Sequence, residues 1–345
     1  MFAGLICDIY LLAPFIYVRT KELTMDIQYL LLLQQLRNSA GGWLTSLMML
    51  VSHMATVGCL VVCVVIYWGI NRRLGYWLVS NCISSLFFNN VIKLTVCVYR
   101  PWIRYPQLQP YQGAIESATG YSFPSGHTQT ATSFYGSIAT RYGKQKKGLA
   151  AFCVAMILLT GFSRNFLGVH TPQDVLFAMA LSAILVYFNT RLFEKIDRHP
   201  SFLPKFLLFG CIAAVLCILY FALKSYPMDY VNGVPIVDPA KMKNDGYMIA
   251  GACIGILTGT YLEVRYVKFE TDGSILQRII RVAMGIPVIA LFLRGVKNSI
   301  YALIGPAAGH VVVFALMSFY IIFVYPALFT AVRRRLLKKN ETAGD

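Results

Sequence analysis

Long apolar runs recur along the chain, broken by short loops rich in Lys and Arg. They fall at about 43–70, 75–98, 127–142, 149–166, 173–192, 204–223, 247–266, 276–293 and 310–332. Most approach the ~20 residues with which an α-helix crosses a bilayer core. The pattern predicts nine spans, or ten if the apolar residues 1–18 form a short first one. That segment carries Asp8 and Pro14 and lacks the cationic start and small-residue cleavage site of a signal peptide. Two readings stand: a marginal span, or an upstream extension with Met25 as the natural start. Residues 26–37 (DIQYLLLLQQLR) read as an interfacial helix feeding the first firm span.

Composition fixes the class. Of 345 residues, 57% are hydrophobic and 13% charged, where soluble domains carry about 25% charged residues. The expected fold is all-α, a polytopic transmembrane helical bundle in a lipid bilayer. The net charge of +16 does not call for nucleic acid, because the cations sit in short loops between apolar runs. Arg72 and Arg73, Arg141 with Lys144, Lys146 and Lys147, Arg191 with Lys195 and Arg198, Arg265 with Lys268, and the 333–339 run share one side. The positive-inside rule makes that side cytoplasmic, facing anionic lipid. Segments 100–126 and 163–172 then face the other way.

The nine cysteines lie within or beside apolar runs without a paired CxxC spacing. They read as small buried hydrophobes, with no disulfide or metal site expected. A break at 193–204 (FEKIDRHPSFLP) divides the chain. The expected units are 1–42 (short apolar segment and interfacial helix), 43–199 (a core holding the chemistry) and 200–345 (added spans of unknown role). The glycines of GACIGILTGTY, 251–261, predict close helix packing. Glu263 and Arg265 read as interfacial charges.

Polar residues concentrate in three segments. In the first, Lys93-LTVCVY-Arg100-Pro101, an intramembrane lysine costs about 2.5–3.5 kcal/mol. Arg100, seven residues on, falls on the same helical face, and Pro101 ends the helix. Two stacked cations without a carboxylate call for an anion, although each cation by itself is open to snorkelling. The second is Phe123-Pro124-Ser125-Gly126-His127 before a helical run. There Ser125 suits an N-cap, free N–H groups suit an anion, and His127 stands at the mouth. An ordinary capped turn has the same look.

The third is Ser163-Arg164-NFLGV-His170-TPQ-Asp174, with Thr171 and Pro172 as cap and first residue of a helix. Asp174 lies four residues after His170, close enough to fix its tautomer and leave the other ring nitrogen free to attack. A plain His–Asp pair at a helix start is the alternative. All three segments fall on one membrane side.

KxxxxxxRP, PSGH and SRxxxxxHxxxD stand complete and in order as Lys93–Pro101, Pro124–His127 and Ser163–Asp174. In these the chain resembles the type 2 phosphatidic acid phosphatase superfamily over about 43–192, and its bacterial members in the 25–42 segment too. The resemblance implies a core of the acid phosphatase/vanadium haloperoxidase type. Lys93, Arg100 and Arg164 would hold phosphoryl oxygens with Ser125 and the Gly126 amide. His170, oriented by Asp174, would attack phosphorus, and His127 would protonate the leaving oxygen. Water would then release phosphate from the phosphohistidine, without metal or cofactor.

Within the superfamily, vanadium haloperoxidases are soluble, and glucose-6-phosphatases lack the aspartate that stands here as Asp174. Lipid phosphatases fit best, with undecaprenyl pyrophosphate, phosphatidylglycerol phosphate or phosphatidic acid as substrate. The implied setting is a bacterial cell membrane with the site on the non-cytoplasmic face. A phosphotransferase would use the same residues. An anion transporter built on Lys93, Glu263 and the His127 helix start would need inverted repeats, and none is apparent. The C-terminal spans are open to three roles: gating lipid entry, a homodimer interface, or product transport.

Overall fold

The computed structural model describes residues 24–342 apart from 119 and 232; the span considered at 1–18 lies outside the described residues. Helix α1, Met25–Ser39, precedes α2, Gly42–Ile70, and α3, Arg72–Val96. Asn71 turns the chain between α2 and α3, its side chain accepting the Leu74 N–H at 2.8 Å. Gly75 lets the two helices touch, since a Cβ there would stand 2.3 Å from the Tyr67 backbone. There follow α4, Gly126–Tyr142; α5, Lys147–Phe166; α6, Pro172–Arg198; and α7, Leu203–Leu223. The last three are α8, Pro239–Val267; α9, Ile275–Ile304; and α10, Pro306–Arg335. A two-residue ladder pairing Tyr230 with Pro235 is the β structure of the described residues, and the fold is all-helical in substance.

Eight of these helices are long and apolar enough to cross a membrane. Helix α4 corresponds to the third predicted span, 127–142, yet it has 17 residues and a polar face. Thr128, Gln129, Thr130, Thr132, Ser133 and Ser137 are all buried. The helix packs against α3, α5 and α6, which shield it from lipid; Gln129 is hydrogen-bonded there, while the Thr132, Ser133 and Ser137 hydroxyls have no partner among the described residues. The break read at 193–204 is narrower than expected: α6 runs to Arg198, and one turn, Pro200–Phe202, leads into α7.

Helix α8 joins the two halves, packing on α3 as well as on α7 and α10. The expected close packing is present at Gly251 and Gly255, where a Cβ would stand 2.3 Å from Val311 O and 2.1 Å from Ala315 O. Tyr67 and Trp68 of α2 donate to the Ile322 and Ile321 carbonyls of α10 at 3.0 and 2.9 Å. Cys59, Cys63 and Cys82 are free thiols packed in the same apolar cluster.

The cationic clusters gather at one end of the bundle. Arg72 pairs with Glu263 at 2.8 Å, Arg73 with Asp197, and Arg333 with Asp272 at 2.9 Å. Glu263, read as an interfacial charge, lies at this end but is buried in the protein and also accepts the Phe269 N–H at 2.8 Å. It lies ten residues beyond Cys253 towards this end, whereas Lys93 lies at the other end of α3. Glu263 and Lys93 therefore stand at opposite ends of the bundle.

Candidate active site

At the opposite end, the loops after α3 and α5 meet the starts of α4 and α6. Helix α3 stops at Val96, four residues short of Arg100, because Cys97 takes a left-handed conformation (φ 55°) with its N–H on Lys93 O. Lys93 and Arg100 therefore do not share a helical face. Pro101 does not end α3 either; it opens a single helical turn, Pro101–Arg104. The turn at Cys97 carries Arg100 back over the bundle, where it is 3% exposed. Its Nε donates to Gly120 O at 3.1 Å and its Nη1 to Val169 O at 2.9 Å.

Arg100 Nη1 also lies 2.8 Å from His170 Nε2. A guanidinium only donates, so Nε2 carries the lone pair. The other ring nitrogen, Nδ1, lies 3.1 Å from Asp174 Oδ2 and must bear the proton. The same oxygen accepts from Ser122 Oγ at 2.5 Å and from the Thr171 N–H at 2.9 Å. Thr171 and Asp174 form a capping box at the start of α6, with Pro172 at the first position, as the sequence predicts. One carboxylate thus closes the helix and fixes the tautomer. Burial, and then the charges of Arg100, Arg164 and Lys93, push the His170 pKa well below the ordinary histidine value.

Arg164, near the end of α5, is fully buried and donates from Nη1 to Ser52 Oγ. Its Nε and Nη2 have no hydrogen-bond partner among the described residues. Buried donors left unmade cost about 1–3 kcal/mol each, which marks a place built for an acceptor. Ser125 caps α4, its Oγ accepting the Thr128 N–H at 3.4 Å, and its own N–H reaches Asp174 O at 3.1 Å. Gly126 opens the helix, and a Cβ there would meet only Asn89 Oδ1 at 3.8 Å. His127 is partly exposed, within electrostatic reach of Arg164, His170, Arg100 and Lys93. Lys93 is partly buried, in the field of Arg100, Asp174 and Asp245. All eight residues singled out in the sequence therefore come together.

Several supporting residues were not singled out. Asn89 Nδ2 donates to Pro124 O at 3.1 Å and also bonds Gln129, while Gln129 Nε2 reaches Ser85 O at 3.1 Å. Ser85 and Ser182 hydroxyls meet at 3.0 Å. This network pins the Pro124–His127 turn to α3 and α6. Its signal was legible: Asn81, Ser85, Asn89 and Lys93 recur every fourth residue along an apolar helix. Ser122, and Asn165, which donates to His170 O at 2.9 Å, carry no such signal.

The C-terminal spans also reach the site. Gly120 has φ 71°, and a Cβ there would sit 1.8 Å from Met242 Sδ of α8. One turn along α8, Asp245 lies in mutual electrostatic contact with Lys93. Helix α8 is therefore the back wall of the cluster.

Comparison with known proteins accords with this geometry. Residues 73–198 match the PAP2 superfamily, and residues 247–338 match the transmembrane extension of PAP2 superfamily phosphatases. Phosphatidylglycerophosphatase B of Bacillus subtilis is 32% identical over 108 residues, 29% of this chain and 52% of the relative. Undecaprenyl-diphosphatase BcrC of the same organism is 35% identical over 103 residues, 30% of this chain and 49% of the relative. The chain thus spans about half the length of these curated relatives, and no solved structure matches it. Motifs, fold and matches agree that this integral membrane protein carries a PAP2 superfamily domain in residues 73–198 and the transmembrane extension of that superfamily's phosphatases in residues 247–338.

Proposed function

We propose that the protein is a lipid phosphate phosphatase working through a covalent phosphohistidine on His170. The observation that carries this is the hydrogen-bond pattern around His170: Asp174 holds the proton on Nδ1, and the unprotonated Nε2 points into a cluster of Arg100, Arg164 and Lys93. An arriving phosphoryl group takes over the Arg100 donor and the two unpartnered donors of Arg164, leaving Nε2 free. Lys93, Ser125 and the Gly126 N–H complete the set around the equatorial oxygens. Phosphoryl transfer depends mainly on such positioning and charge stabilisation.

Nε2 forms the bond to phosphorus as the bond to the leaving oxygen breaks, and that oxygen takes a proton from His127. Water, giving a proton back to His127, then attacks phosphorus; the N–P bond breaks and phosphate leaves. Asp174 stabilises the imidazolium that exists between the two steps. The charge of the phosphoryl group is met by Lys and Arg, so the reaction proceeds without metal.

The substrate class follows from the setting and from the two relatives, whose names denote lipid phosphate and diphosphate hydrolases. The lipid tail stays in the bilayer while the head enters the loops at the bundle end. Residues 43–199 form the catalytic unit, and the spans after 200 are added to it. The cationic end faces the cytoplasm, which puts the cluster on the non-cytoplasmic face of a bacterial cell membrane.

The test is phosphate release by purified protein in EDTA from undecaprenyl pyrophosphate, phosphatidylglycerol phosphate and phosphatidic acid, with glucose 6-phosphate and His170→Ala as controls. Acid-labile, base-stable label on wild type, absent from His170→Ala, is expected on quenching with labelled substrate. Full activity in His170→Ala would refute the proposal.

A further inference from the structure

A cavity of about 570 Å³ lies away from the catalytic cluster, and none of the motif residues lines it. Its walls belong to α3 and α6 on one side and to α7 and α8 on the other. Helices α6 and α7 diverge from the turn at Pro200: α6 lies against α3 and α4, α7 against α8. The cavity fills the wedge between them, on the seam between the superfamily domain and the added spans.

The lining changes character along its length. One end holds Arg72, Arg73, Asp197 and Glu263; the other holds Phe88, Phe209, Ala213 and Cys253. On α8, Cys253 and Glu263 are ten residues apart, about 15 Å at 1.5 Å per residue. That is half of a ~30 Å hydrocarbon core. On α3, Arg72 and Phe88 are sixteen residues apart, about 24 Å, so the slot runs from a charged end at the cationic interface to an aromatic end at or past the bilayer midplane.

Charge defines the head of an occupant. Arg72 Nη1 is engaged with Glu263, and Arg73 Nη2 with Asp197. A guanidinium has five N–H donors, so both retain donors for a second acceptor. The turn framing the mouth adds Lys195, Arg198 and Lys205 against Glu194, which leaves the rim positive. Water would leave the aromatic end poorly solvated, and a bare hydrocarbon would leave the arginine donors unmatched. An amphiphile with an anionic head meets both ends.

We propose that this slot holds one anionic phospholipid of the leaflet on the cationic side, with an acyl chain between α3, α7 and α8 and its phosphate against Arg72 and Arg73. The site is separate from the phosphatase centre and needs no turnover. The bound lipid mortars the domain to its extension, beside the Arg72–Glu263 pair that joins α3 to α8.

The test uses the full chain, purified and delipidated in detergent, with Tm read on adding phosphatidylglycerol, phosphatidylcholine or inorganic phosphate. Native mass spectrometry counts retained phospholipid. Phosphatidylglycerol should raise Tm by several degrees more than phosphatidylcholine, phosphate should not, and one phospholipid should persist in wild type and His170→Ala alike. Ala213→Trp, which fills the apolar end, and Arg73→Gln, at the partly exposed mouth, should each abolish the preference. If Ala213→Trp does not fold, Arg73→Gln decides. Equal gains from both lipids, or an unchanged preference in the folded variants, would overturn the proposal. So would displacement of the retained lipid by orthovanadate, which would assign it to the catalytic cluster.

Discussion

Asp174→Asn removes one charge and almost no volume from the centre. In the native site Oδ2 takes three donors: Ser122 Oγ at 2.5 Å, the Thr171 N–H at 2.9 Å and His170 Nδ1 at 3.1 Å. An amide with its oxygen in that place accepts all three, so the helix cap and the His170 tautomer survive. What disappears is the negative charge beside the imidazolium that the proposed phosphohistidine on Nε2 would form. At an effective dielectric of about 20 and the 3.1 Å separation, the Coulomb energy is roughly 5 kcal/mol, which sets a ceiling. Net hydrogen bonds to charged groups are worth about 1.5–3 kcal/mol, which sets the floor. At about 1.4 kcal/mol per tenfold, kcat should fall by at least about 10-fold and at most a few thousand-fold. Tm should shift by only a few degrees, because the cap is kept. The assay is steady-state phosphate release together with the amplitude of labelled enzyme on alkaline quenching. A folded Asp174→Asn protein with kcat within about threefold of wild type, beside an inactive His170→Ala, would refute the role given to the charge, since the loss would fall below the floor for a charged hydrogen bond.

Arg164→Met removes a buried guanidinium with two unpartnered nitrogens; Tm should hold or rise, while inhibition by orthophosphate or vanadate weakens about 10- to 150-fold, one charged hydrogen bond's worth. Asp245→Asn strips Lys93 of a neighbouring carboxylate, so phosphate product should bind severalfold tighter and kcat fall with KM; unchanged phosphate inhibition would sever α8 from the chemistry. In the proposed reaction only neutral His170 attacks, and its pKa is held low by burial and by Arg100, Arg164 and Lys93. The His170 acid limb of kcat/KM should therefore lie below the ordinary value of about 6.5, and a limb at or above about 7 would contradict the site electrostatics. Folding stability has a matching sign. The unfolded ring binds a proton that the native ring refuses, so stability drops as pH falls below about 6.5 and is level above it. Gly255→Leu drives a side chain into Ala315 O; it should lower Tm by well over the few degrees per kcal/mol of a mild substitution, as separating packed backbones demands.

Much of this protein is written in one dimension. The apolar runs set the number and order of the helices, because a bilayer core admits few other backbone solutions. The loop cations gathered at one end and the motif residues at the other, as their alternation predicts. Capping chemistry at Thr171, Pro172 and Asp174 and at Ser125 is local, so it was legible too.

What the linear pattern missed depends on three dimensions. The ideal helical period placed Arg100 beneath Lys93, but the left-handed Cys97 breaks that period and sends Arg100 onto His170 instead. Glu263 looked interfacial until Arg72, 191 residues away in sequence, was found beside it. Residues 127–142 read as one more membrane span, yet the hydroxyls of α4 are enclosed by α3, α5 and α6. Met242 and Asp245 lie in spans with no catalytic signature, and only the packing of α8 against Gly120 and Leu94 brings them to the site. The sequence by itself singled out the residues of the candidate site, because their types and local spacings mark them. The tertiary structure decided which of them touch, because contacts between distant segments follow from how the helices pack, and packing leaves little trace in the order of residues along one chain.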